Sequence, residues 1–204
     1  MTYGQVKQAA LRLLNASTIA GVEIPLSYNE QADLVLAMPS LVDDAVMQIA
    51  TTVRKIPAAV CLESLEKVGV GNCELYTLPT DCWRLMNGGL LRPGSDGRYS
   101  DYKLLGNQLL LPAGEKGLWA EYWRYPVSVG NEPKDDTPLD NSPDTHTAIP
   151  YFVAGQLVMY DDAFRYAALH NEWENRLRRM GEAVFTERSR VRDAYAGFDC
   201  GELW

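Results

Sequence analysis

The 204-residue chain is poor in the residue types that carry most protein chemistry. It holds two histidines, His146 and His170, and four cysteines, Cys61, Cys73, Cys82 and Cys200. No two cysteines form a C-x-x-C pair and neither histidine lies near one, so the usual zinc spacings are missing. The opening Met1-Thr2-Tyr3-Gly4-Gln5 lacks a secretory pattern, and the thiols are expected to stay reduced as small buried hydrophobes. Phosphate-binding glycine loops, G-x-S-x-G and H-E-x-x-H do not occur, and Gly69-Val70-Gly71 reads as a turn. No stretch approaches the roughly 20 apolar residues of a membrane span, which predicts a soluble protein made in the cytoplasm, with no membrane partner. A basic excess is missing too. The net charge of −8 disfavours general DNA binding by counterion release. No catalytic residue, metal or cofactor is predicted.

What is present is size and a normal apolar content of 47%. A chain of this length buries roughly two-thirds of its unfolded surface. Charge is uneven. Residues 126–150 carry Glu132, Asp135, Asp136, Asp140 and Asp144 against Lys134, while Arg165 to Arg192 holds seven Arg and four Glu. Such asymmetry either orients neighbouring molecules or marks two solvated surfaces.

Thr2 to Gln5 fits a helix-capping box, followed by Val6, Ala10, Leu13 and Leu14 at helical spacing. A short helix is predicted from Asn29 to Ala37, ending near Pro39. A second begins at Ser40 and carries the stripe Val42, Ala45, Val46, Ile49 and Val53. From Pro57 the period changes. Strands are predicted at 73–78, 84–91, 102–105, 108–111 and 118–125, with Gly106-Asn107 as a hairpin turn. The last strand carries Trp119, Tyr122, Trp123 and Tyr125, and both its faces are expected to meet protein. Five prolines make 126–149 an extended connector, and Pro150 suits the first turn of a returning helix. That helix is buried over 151–160 and striped by Tyr166, Leu169, Trp173, Leu177 and Met180. Asp161-Asp162 is a possible break and Gly181 a C-terminal cap. Beyond Gly181, Phe185, Val191, Tyr195, Phe198, Leu203 and Trp204 are scattered among charges: a frayed end, or a tail that orders on a partner.

The expected class is therefore α+β: a helical bundle of N- and C-terminal segments with an inserted small antiparallel β-domain. Its parts are 1–56, the β region 57–125, the acidic connector 126–149, the helix 150–181 and the tail 182–204.

Three stretches together resemble the head–tail adaptor (connector) proteins of tailed bacteriophages. They are Thr2-Tyr3-Gly4-Gln5-Val6 with its continuation through Ile49-Ala50-Thr51-Thr52-Val53; Tyr76-Thr77-Leu78-Pro79-Thr80-Asp81; and Ile149 to Leu157 running on to Met159-Tyr160-Asp161-Asp162. The resemblance spans most of residues 1–180. It implies a non-enzymatic virion protein of the neck, made in the host cytoplasm, that forms a homo-oligomeric ring, typically of twelve subunits. Such a ring docks under the portal protein, contacts the tail or a second connector ring, and passes DNA without specific binding. On that basis Asp135, Asp136, Asp140 and Asp144 are candidate channel-lining acids. The tail aromatics and aliphatics from Phe185 to Trp204 are candidate portal-docking residues. Trp119, Trp123, Trp173, Arg176, Arg178 and Arg179 are candidate inter-subunit contacts. Competing readings are a DNA-binding accessory protein using Arg176, Arg178, Arg179, Arg188, Arg190 and Arg192; a tail-terminator-type connector; and a hydrolase built on His170 beside Glu174, which requires a polar pocket.

Overall fold

The computed structural model describes residues 1–14, 30–86, 90–92 and 98–196, with backbone alone for 30–32 and 182–196. The fold is α+β, and the chain divides into two compact units. One comprises Met1–Arg54 with Val127–Trp204, the other Lys55–Pro126.

The first unit is helical: α1 (Tyr3–Leu13), α2 (Glu30–Thr52), α3 (Ile149–Val158) and α4 (Ala163–Ala196). Central to it is α3, which packs on α1, α2 and α4. Its Ile149, Phe152, Val153 and Ala154 are buried among Val6, Ala10, Val42, Ile49 and Trp173. Pro150 sits in its first turn, where no amide hydrogen is needed.

Pro39 does not end the preceding helix. It lies inside a continuous α2, although proline removes one backbone hydrogen bond and crowds the turn before it. Met38 and Pro39 are buried, so packing offsets that loss, and the Ser40 hydroxyl donates to the Ala37 carbonyl at 3.0 Å. A second expectation also changes here. Asp33–Thr52 is, by length and composition, apolar enough to cross a membrane. Its Met38, Val42, Ala45, Val46 and Ile49 are instead core residues of this unit.

The returning helix is broken. Val158 carbonyl accepts from both Asp161 and Asp162, and Asp162 then caps α4 through the Arg165 amide at 2.9 Å. The Arg165 guanidinium donates to the Leu13 carbonyl at 2.6 Å. The break also exposes Met159 and Tyr160, the latter by 93%, where burial is expected from sequence. Gly181 is not a cap. It lies inside α4, whose 34 residues extend for about 51 Å. The chain is thus helical to Ala196 rather than leaving the helix at Gly181.

Among the described residues, the second unit holds two antiparallel sheets. One has β1 (Ile56–Cys61), β4 (Cys82–Leu85), β5 (Leu90–Leu91), β6 (Arg98–Tyr99) and β9 (Trp119–Arg124). The other runs β2-β3-β8-β7, with β2 at Lys67–Val70, β3 at Cys73–Thr77, β7 at Lys103–Leu105 and β8 at Gln108–Pro112. Leu62, Tyr76, Leu78, Leu90, Leu109, Leu111, Leu118 and Ala120 form its core. Gly106 has φ +62°, as the β7–β8 hairpin requires. Gly69-Val70 belongs to a strand, and only Gly71, at φ +62°, makes the turn. The 84–91 expectation resolves into β4 and β5, with 87–89 outside the described residues. Cys61, Cys73 and Cys82 are free and half-buried rather than buried; Cys200 lies outside the described residues.

Candidate functional site

The acidic segment is not a loose connector. Residues 127–148 form a strap that completes the helical unit. At its middle it supplies acceptors for the first turn of α1, whose leading amides have no partner within the helix. Tyr3 N–H donates to Thr137 O at 2.9 Å, and Gly4 N–H to Asp135 O at 3.0 Å. Thr2 pairs with Pro138 as an isolated bridge, and its own amide donates to Gln5 Oε1 at 3.1 Å. Gly4 makes this possible by close approach: a Cβ there would stand 2.7 Å from the Asp135 Cβ. Tyr3 is buried beside the strap, and burial followed by the Asp135 charge pushes its phenol up to about 12.

Each end of the strap is pinned by a carboxylate. Asp43 of α2 accepts from the Ser128 hydroxyl and from Val129 N–H, the latter at 2.8 Å, and Asp140 accepts from Val127 N–H at 2.7 Å. Asp144 meets Arg54 at 2.8 Å. Burial opposes ionisation of Asp144, but hydrogen bonds from Ser142 and Arg54 prevail and hold its carboxyl below the ordinary range. Asp135 pairs with Lys7 at 2.5 Å. Before α3, Asn141 donates to the buried Thr145 hydroxyl at 2.7 Å, and the buried His146 ring contacts the Asn141 carbonyl at 3.2 Å. Burial pushes the His146 imidazole below its ordinary value. Of the four candidate channel acids, then, Asp135, Asp140 and Asp144 already serve the fold. Asp135, Asp136 and Asp144 stay exposed. Sequence reasoning missed this bracing because the partners lie 85 or more residues away for Asp43, Asp135 and Asp144.

The candidate contact residues divide similarly. Trp173 is 2% exposed, with its ring 5.1 Å from that of Phe152, so it leaves the set of surface residues. Arg176 is committed internally to Glu172 at 2.8 Å and to Tyr151, both through the hydroxyl and over the ring. Arg178 and Arg179 remain on the exposed surface of α4. Trp119 is 38% exposed and Trp123 half-buried beneath Lys55, while Ala120 and Tyr122, both between them in sequence, are buried. Buried residues of β9 thus fall on one face alone, contrary to the expectation for that strand. His170 is half-exposed on α4, stacked on Tyr166 and 3.3 Å from Glu174. Phe185, Val191 and Tyr195 fall on the backbone-only part of α4, as do Arg188, Arg190 and Arg192; Phe198, Leu203 and Trp204 lie outside the described residues.

One comparison decides between the competing readings. The family model described as SU10 adaptor protein matches residues 1–197. The chain belongs to the SU10 adaptor protein family. This is a family of phage head–tail adaptors, so the protein is a structural bacteriophage component of the head–tail junction and not of an enzyme family. A search of curated proteins finds no match. Large apolar side chains are exposed on α4, at Phe164, and on the β unit, at Val68, Val70, Leu104 and Leu105.

Proposed function

We propose that the protein forms a homo-oligomeric ring, typically of twelve copies, beneath the portal of the filled capsid. There it extends the DNA channel and offers a platform to the tail or to a second connector ring. The observation that carries this reading is the adaptor-family match across residues 1–197. Asp135, Asp136, Asp140 and Asp144 line the lumen in this proposal, where negative charge repels packaged DNA and lets it slide. Their segment is acidic, and Asp136 has no structural duty among the bonds described above. The residues from Phe185 to Trp204 dock the portal, and Trp119, Trp123, Arg178 and Arg179 contribute to neighbouring-subunit contacts.

Truncation after Gly181 tests the docking part. The buried α4 residues Leu169 and Trp173 are retained, so the helical unit is expected to fold. Binding to portal-bearing capsids should be lost; capsid binding equal to the full chain would remove the docking assignment.

A further inference from the structure

The four-stranded sheet of the β unit has two open edges and one face that is half-buried at its centre, at Leu75 and Leu110, and exposed along both edges. Strands β2 and β7 are exposed along their whole length, and neither pairs with a further strand among the described residues. Register sorts the side chains by face. Lys67, Tyr76, Leu109 and Leu104 form one cross-strand row, and its central Tyr76 and Leu109 are buried. The adjacent row, Val68, Leu75, Leu110 and Lys103, therefore faces the other way. Val68 is 63% exposed there, while Val70 and Leu105 extend that face at 53% each. Lys103 is the only charged residue that the four strands place on this side. An exposed apolar layer bounded by unpaired backbone edges is a template for another strand, and monomeric proteins ordinarily block it. Lys67 blocks little here, since it is drawn across to Glu74 at 3.0 Å.

The two edges fit each other. All pairings in the order β2-β3-β8-β7 are antiparallel, so β2 and β7 run in opposite directions. A second copy placed alongside in the same orientation thus presents its β7 to β2 as an antiparallel neighbour. The strands differ in length by one residue, at four and three. One register that keeps the apolar face continuous sets Val68 beside Leu105.

We propose that β2 of one copy pairs with β7 of the next, joining their sheets head to tail. The contact is heterologous, as a ring requires, because each copy uses one edge for each neighbour. It rests on the ring reading above and specifies the seam between subunits.

The test uses full-length protein added to DNA-filled, portal-bearing capsids, with bound copies counted per capsid and the neck imaged by cryo-electron microscopy. Val68→Glu and Leu105→Lys are both at exposed positions, and unchanged thermal melting will verify the fold. Each alone sets a charge directly opposite an apolar side chain in every seam, repeated around the ring, and should lower bound copies roughly tenfold or more. The double variant sets opposite charges across the seam and should return binding to within about twofold of wild type. Single variants that bind like wild type, while wild type forms a ring, overturn the seam and leave the ring standing. A wild-type ring whose β2 edge is covered by another virion protein does the same. If wild type forms no ring at all, both proposals fail.

Discussion

In the helical unit, polar groups from distant parts of the chain close on one another. Asp43, Asp135 and Asp144 each find partners across the strap, and Trp173 and Phe152 seal the apolar interior. The β unit does the reverse. Its core takes one side of the β2-β3-β8-β7 sheet, and the opposite side leaves Val68, Val70 and Leu105 in solvent. In the proposed ring the contrast separates two tasks: braced residues hold a scaffold and uncovered ones meet the neighbouring copy. Substitutions in the first unit should therefore cost stability, and those on the open sheet face should cost association instead.

The largest stability effect should come from Trp173→Ala, which empties the space against Phe152. A loss of about 3–5 kcal/mol is expected in chemical denaturation. A loss below 1 kcal/mol would mean that the α3–α4 packing is looser than described. Gly4→Ala drives a methyl group into Asp135, and separating the strap from α1 should cost about 1–3 kcal/mol, read in the same experiment. Next in size is a pH effect. The unfolded chain protonates His146 near its ordinary value of 6.5, whereas the folded chain resists until lower pH. Its contribution is complete above about pH 6.5 and is lost as pH falls through the folded value. His146→Gln should flatten the stability slope just below about pH 6.5, while the Asp144 contribution, lost only below the carboxylate range, should persist. The smallest effect belongs to the other unit. Val70→Thr at the open sheet face should change stability by no more than about 0.5 kcal/mol; a larger loss would show that this face is not free in the monomer.

Much of the architecture is legible in the sequence because its signals are local. The stripe Val42, Ala45, Val46 and Ile49, the Gly106 hairpin and Pro150 at a helix start all report on neighbours within a few residues. The misreadings have a common cause. Pro39 reads as a stop unless the burial around Met38 is known, and Gly181 reads as a cap although helix continues past it. Strands β1 and β2 escape notice since Pro57 and Gly69 are poor strand formers. Their pairings with β9 and β3 override that preference. The acidic strap looked like a linker because Pro and Asp content describes composition and says nothing of partners more than a hundred residues away, such as Lys7 for Asp135. The contact surfaces were the least legible part. Trp173 and Trp119 are the same residue type, and only burial distinguishes a core tryptophan from one left exposed.

Cryo-electron microscopy of intact particles tests the central claim most directly. The adaptor assignment predicts a ring of this protein between the capsid portal and the tail, surrounding the DNA path. Density at the neck fully explained by other proteins, with this chain found elsewhere or not at all, would contradict it.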